Sequence, residues 1–365
     1  MRVKYYKDKI KSLDLKLKRL SQKSLKYSFA RLFLLIIGIF IIYLAFSISG
    51  TWGIVAILLV IAIFLTIVKL HSKINKQKEY TANLIKVYTN ELELKVKGNI
   101  FGNGSKYIDR NHNYSNDLDV FGKFSLFNLI NRTVTHEGET LLAHWLKEPM
   151  FNREKILNRH EILKELSKIN GFKEKFLSAG FLSKKTKEES ENIKIWIENF
   201  KYFFIKKKYL KPILYAFSTS LTILLLLGFY NPVFWNYSII NIGINYILMS
   251  MYLKNVNRLH GFISKQEKLF YKYSLLIKYI ANEDFKNIDL LDLQNKIKGK
   301  NHIEDQFKAI SRLIKKLDYR LNIIVSIFLN LIFFWDIHIS YAIEKWMKKN
   351  QNSIDVWLNI VGEFD

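Results

Sequence analysis

Residues 32–68 read LFLLIIGIFIIYLAFSISGTWGIVAILLVIAIFLTIV, without one charged side chain, between Arg31 and Lys69. A second such run, residues 212–253, reads PILYAFSTSLTILLLLGFYNPVFWNYSIINIGINYILMSMYL and lies between Lys211 and Lys254. In a chain that is 24% charged, neither gap is accidental. Each run is about twice the roughly 20 apolar residues that cross a bilayer as a helix. Each also breaks near its middle, at Ser47-Ile-Ser-Gly-Thr51 and at Tyr230-Asn-Pro232. The pattern predicts two transmembrane helical hairpins, with four spans near residues 29–49, 52–69, 212–229 and 232–252. Neither run holds an Asp, Glu, Lys, Arg or His. An ion-coupled or proton-coupled transport path usually needs one, so a transporter is disfavoured.

Span four is the most polar of the set. Asn241 and Asn245 stand four residues apart, with Asn236 before them, and this stripe predicts hydrogen bonding to a neighbouring helix. A shorter uncharged run, residues 321–335, carries Asn322, Ser326 and Asn330 at every fourth position. That length and period predict an amphipathic helix buried in a soluble core rather than a fifth span.

Charge sets the orientation. The chain of 365 residues has a formal net charge of +25, and its cations crowd the ends of the apolar runs. Residues 1–31 contain eleven Lys or Arg against two acids. Lys69, Lys73, Lys76 and Lys78 follow the first run, Lys201, Lys206, Lys207, Lys208 and Lys211 precede the second, and Lys254 and Arg258 follow it. The two turns between spans are uncharged. Basic residues beside span ends mark the cytoplasmic side, which places both termini and the body of the chain in the cytoplasm. The long basic N-terminus lacks the layout of a cleavable signal peptide and suits contact with anionic lipid. With no Cys there is no disulfide framework, thiolate metal site or Cys nucleophile, and with three Pro the rest of the chain suits long helices.

Between the hairpins, residues 98–119 are rich in Gly, Asn and Asp and predict a loop. A short helix carrying Leu126, Phe127, Leu129 and Ile130 should follow. Thr133 and Thr135 are cap candidates for a second helix over 136–146, with Leu141, Leu142 and Trp145 as its core face and Pro149 at its end. A third helix over 152–169 should bury Ile156, Leu163 and Leu166. Asp117 and Asp119, flanking Leu118 in a Gly-rich region, read as helix-entry caps, with a metal or phosphate role as the alternative. The eight histidines are scattered, and His302 near Glu304 and Asp305 reads as a solvated helix start. Tyr271, Tyr273 and Tyr279 alternate with lysines, a composition that suits either a solvated helix face or stacking on nucleic acid. No catalytic, cofactor-binding or metal-ligating constellation emerges.

Residues 117–149 closely resemble the opening of the core (lever) domain of MutS-family DNA mismatch repair proteins. Ser125, Leu126, Asn131, Thr133, Thr135, Gly138, Leu141, Leu142, Trp145, Leu146 and Pro149 match the family pattern, and Arg159 falls in its following helix. The resemblance extends more weakly over residues 90–200 and 255–365. It implies an all-α, MutS-like core and lever. MutS proteins place a mismatch reader with a Phe-x-Glu wedge ahead of this core; here a basic segment and the first hairpin stand there, and the string Phe172-Lys-Glu174 falls inside a core helix. The family's DNA clamp corresponds to residues 200–260, the site of the second hairpin. Its ATPase domain carries a Gly-x-x-x-x-Gly-Lys-Ser/Thr loop that Gly102-Asn-Gly-Ser-Lys106 does not reproduce. The sequence stops at residues 361–365, where the family would pass into that domain.

These readings predict five segments: a basic N-terminal segment (1–31), hairpin one (32–70), the first part of a MutS-like core (71–211), hairpin two (212–253) and lever helices (254–365). The expected role is a scaffold or interaction module on the cytoplasmic face of the membrane, not an enzyme, with the lipid bilayer and either a MutS-like ATPase or a second copy as partners. The alternative is a DNA-binding mismatch-repair-type protein served by an ATPase in trans.

Overall fold

A computed structural model of the chain describes residues 2–169, 171–183, 197–198, 200–299 and 303–365. The described residues form helices and turns, with no strand among them. Along the chain these are α1 (Arg2–Ile48), α2 (Gly50–Lys97), α3 (Leu126–Ile130), α4 (His136–Lys147), α5 (Arg153–Lys168), α6 (Phe172–Gly180), α7 (Leu210–Leu227), α8 (Val233–Ile263), α9 (Glu267–Ala281), α10 (Ile288–Lys298), α11 (Ile303–Leu317), α12 (Ile323–Phe333), α13 (Trp335–Asn350) and α14 (Ile354–Phe364). They fall into two compact units, one of residues 1–132 with 169–182 and the other of residues 133–168 with 183–365.

In the first unit, α1 and α2 form an antiparallel hairpin about 70 Å long at 1.5 Å per residue. The turn is a single residue, Ser49, whose hydroxyl accepts from the Trp52 backbone N–H and caps α2. Pairs symmetrical about this turn hold the helices together. Near the far end, Tyr6 and Tyr88 meet ring to ring at 5.9 Å. Midway, the Ser24 hydroxyl lies 3.0 Å from His71 Nε2 and donates to Asn75 Oδ1 at 2.8 Å. Closer to the turn, the Arg31 guanidinium lies over the Phe64 ring, and a Cβ on Gly38 would meet Val60 at 2.7 Å. Here glycine lets two helix backbones come close. Helix α6 packs on the end of α2: Asn83 Nδ2 donates to the Ser178 carbonyl and the Ser178 hydroxyl to that of Tyr80.

The core of the second unit is aromatic. Phe270 and Tyr273 of α9 meet Phe307 of α11, and Phe307 in turn meets Trp357 of α14. Around them Leu276, Ile277, Ile280, Ile310, Ile314, Ile343 and Met347 are fully buried. Helices α4 and α14 cross at glycines, because a Cβ on Gly362 would lie 2.6 Å from Glu137 Cβ and 3.0 Å from the Gly138 backbone nitrogen. Helices α7 and α8 form the second hairpin, and α12 lies against both.

Three expectations about the core need correction. The helix expected over 152–169 runs from Arg153 to Lys168 and has no buried residue; Ile156 and Leu163 are exposed and Leu166 is half-buried. Of the apolar residues in α3, only Phe127 is buried, while Leu126, Leu129 and Ile130 face out. In α4 the buried positions are Gly138, Glu139 and Ala143; Leu141 and Leu142 are half-buried, and Trp145 is exposed with the Arg159 guanidinium 3.9 Å from its ring centroid. In α3 and α4 the contacts are made by Phe127 and by Gly138, Glu139 and Ala143 rather than by their larger apolar neighbours, and α5 buries none of its side chains.

Candidate functional site: inside-out helices and the motif tract

Three helices, α1, α2 and α7, are long and apolar enough to cross a membrane, and a fourth crossing exists if the bent pair α12–α13 counts as one span. In α1 the residues from 32 onward expose apolar side chains on all but the face that packs on α2: Phe33, Ile36, Ile39, Phe40, Tyr43 and Ile48 are all at least half exposed. A water-soluble hairpin would bury such a surface. Below it the same two helices continue as a basic stalk.

Helix α7 buries Leu210, Leu214 and Leu221 beside Ser218, but along most of the apolar part of α8 the usual polarity is inverted. The buried positions of the apolar part of α8 are Ser238, Asn241, Asn245 and, at its end, Tyr252, while Ile239, Ile240, Tyr246, Ile247 and Met251 are exposed. Asn241 Nδ2 donates to the Ser220 hydroxyl of α7 at 2.7 Å. Asn245, fully buried, donates to the Leu331 carbonyl of α12 at 2.8 Å, satisfying one of the carbonyls that a helix C-terminus leaves open. The predicted interhelical bonding is thus present. The same asparagines keep α8, the expected fourth span, outside the set of helices that qualify by length and apolarity.

Helix α12 is not the buried core helix that its polar stripe predicted. Ile323, Ile327, Phe328 and Phe333 are exposed, and among the described side chains of the helix only Asn330 is fully buried. Asn322 caps the helix by accepting from the Val325 N–H. It ends at Phe334, a fully buried residue at φ +47°, where the chain turns 78° into α13. At eleven residues α12 is about 16 Å long, half the thickness of a bilayer core. The stripe turns inward along the helix, from exposed Asn322 through half-buried Ser326 to buried Asn330, and the apolar side faces out.

At the foot of α12 sits a charged node that no local motif announces, since its members come from three distant segments. The Arg320 guanidinium Nε lies 3.3 Å from the Asp336 carboxylate, and that carboxylate is almost wholly buried. Burial, the larger influence, lowers the Arg320 pKa and raises that of Asp336, while each partner's charge resists. His260 lies 2.8 Å from Asp318, and Arg320 also donates to Asn257. Asn330 accepts from the Asp336 N–H, tying the node to the apolar helix above it.

The matched tract turns out to be joinery. The Ser125 hydroxyl caps α3 by accepting from the Asn128 N–H, so neither Asp117 nor Asp119 does so; Asp119 instead sits in a turn at φ +47°. Asn131, fully buried, donates to the carbonyls of Phe101 and Gly102, and Asn99 donates to those of Asn128 and Asn131. Arg132 clasps Glu91 through Nε at 2.6 Å and Nη2 at 3.1 Å. Burial works against the charged form of Glu91, but the bond and charge of Arg132 outweigh it and lower the pKa. Of the two cap candidates Thr135 is the cap: its hydroxyl accepts from the Gly138 N–H and donates to the Asp365 carboxylate, which also receives the N–H groups of Val134 and Thr135. A carboxylate at the positive end of α4 is the favourable placement.

The remaining singled-out residues do not converge. Among the described residues no group of three or more His, Cys, Asp or Glu is placed to hold a metal. His71 serves the α1–α2 pair, His144 faces Glu148 on the surface at 3.4 Å, and His338 packs on the Tyr215 ring. His302 lies outside the described residues, while Glu304 and Asp305 open α11. Tyr273 is buried and donates to Glu137, which removes it from any stacking platform. Gly102 to Lys106 form a turn leading into a three-residue 3₁₀ segment, not a strand–loop–helix.

Comparison with known families supports a MutS relation for part of the chain: the model of MutS domain III matches residues 92–221, from the end of α2 into α7. No curated protein and no solved structure matches the chain.

Proposed function

We propose that this MutS-like protein is anchored in a membrane and acts as a scaffold or interaction module at its cytoplasmic face, without ATPase chemistry of its own in these residues. The observation that carries the reading is the inverted polarity of the apolar part of α8 and of α12, where Ser238, Asn241, Asn245 and Asn330 are buried and Ile, Phe and Tyr side chains are exposed. Lipid is the solvent that rewards this arrangement, because it solvates apolar side chains and leaves polar ones to pair within the protein. The basic residues at all four flanks of the apolar runs support the cytoplasmic placement of both termini. The residues present offer no phosphate-binding loop, so phosphoryl transfer would depend on a MutS-like ATPase domain acting with this one.

Two measurements test the proposal. Membranes containing the protein are washed at alkaline pH; retention in the pellet is expected, and release as a peripheral protein would sink the anchoring. Mild extraction should then co-purify a MutS-like ATPase, and its reproducible absence would remove the scaffold role. The basic stalk favours a second reading, contact with DNA, for which affinity should fall steeply with salt. Salt-insensitive or absent duplex binding disposes of it.

A further inference from the structure

Within the second unit, the segment leading into α7 and the last turns of α8 enclose a cavity of about 230 Å³. Its wall is apolar and aromatic, built from Phe200, Phe203, Phe204, Leu259 and Phe262. Two cations, Lys201 and Arg258, stand at it, both exposed and neither with an acidic partner among the described residues. One acid lines it, Glu344, but its carboxylate is buried and committed: Oε1 accepts from the Phe203 N–H at 2.9 Å and Oε2 from the Ile205 N–H at 2.8 Å. Glu344 therefore shapes the wall by fixing the backbone at 203–205, and its single charge against two cations leaves the cavity net positive.

The depth of the cavity matters as much as its lining. Arg258 stands five residues beyond Leu253, the last residue of the second charge-free run, which is about 7 Å along α8. The headgroup layer of one leaflet is about 5–7 Å thick. Two free cations beside phenyl rings at that level match one kind of molecule, an amphiphile with an anionic head and acyl chains. Inorganic phosphate would satisfy the cations and leave the phenyl wall uncovered. A zwitterionic lipid would cover the wall and bring no net charge. We infer that this cavity binds the headgroup and upper chains of an anionic glycerophospholipid; the inference rests on the membrane reading above.

The test uses the full chain in neutral-detergent micelles, with lipid retention read by native mass spectrometry. The probes are dioctanoyl phosphatidylglycerol, dioctanoyl phosphatidylcholine and inorganic phosphate. The variant Lys201→Gln/Arg258→Gln is compared with Lys206→Gln/Lys208→Gln, which removes the same charge from exposed positions outside the cavity. Phosphatidylglycerol should be retained by the unmodified chain and the control, and bound roughly thirtyfold more weakly by the cavity variant. Equal retention by both variants, equal retention of phosphatidylcholine, or displacement of the lipid by inorganic phosphate at similar concentration would each overturn the assignment. Vesicle flotation of all three proteins is read in parallel. Failure of every protein to float counts against membrane anchoring, whereas flotation with indifferent lipid retention counts against the cavity alone.

Discussion

Asp365 and Thr135 are separated by 230 positions yet share a proton-bridged contact of 2.6 Å that closes the first turn of α4. Replacing Asp365 with Ala should cost about 1–2 kcal/mol, read as a lower melting temperature in detergent, because three donors lose their acceptor. Gly362→Ala should cost about 1–3 kcal/mol, since its Cβ meets backbone that cannot step aside without parting α4 from α14. The Arg132–Glu91 clasp carries a pH signature. The Glu91 pKa is lowered on folding, so its contribution is full at neutral pH and disappears as pH falls through the carboxylate range. Glu91→Gln should lower stability by about 2–3 kcal/mol at pH 7 and flatten the loss of stability between pH 6 and pH 3; an unchanged slope would clear Glu91 of that role. Sequence made the local half of this legible. Thr135 announces itself as a cap through its spacing to the next helix, whereas Ser125 takes the capping role expected of Asp117 and Asp119, and Asp365, the partner of Thr135 across the fold, leaves no local trace.

Helices α8 and α12 show how a periodic pattern can be read correctly and placed in the wrong solvent. A stripe of Asn and Ser every fourth residue marks one face of a helix, and the period is the same whether that face meets water or protein. For 321–335 the stripe meets protein at Ser326 and Asn330, so the apolar face is the outer one. The turns were easier, because Ser49 and Asn231-Pro232 interrupt otherwise uniform apolar runs. Two substitutions follow from the inverted polarity. Ile247→Lys, on the exposed face of α8, should disfavour insertion by about 2.5–3.5 kcal/mol and release protein from alkaline-washed membranes; in a water-soluble bundle it would do no harm. Asn245→Ala should cost about 1 kcal/mol of thermal stability by orphaning the Leu331 carbonyl, with insertion unchanged.

At the scale of the whole molecule, the absence of any cysteine makes topology directly measurable. Single cysteines placed at Ser49 and Asn231 should be protected from an impermeant maleimide added to the cytoplasmic side, and those at Ser12 and Asn350 should react or become reactive on unfolding. Labelling of Ser49→Cys from the cytoplasmic side would invert the first hairpin. One feature of that hairpin reaches further. Because α1 and α2 pass from their apolar portions into the basic stalk without a break, the stalk is a mechanical extension of whatever lies in the lipid. Residues 2–31 project about 45 Å beyond the charge-free run, so a 10° change in tilt would swing their far end by about 8 Å. On the proposed anchoring, bilayer thickness would thereby be converted into the position of a protein surface, and the hairpin would be a pointer whose pivot is the membrane itself.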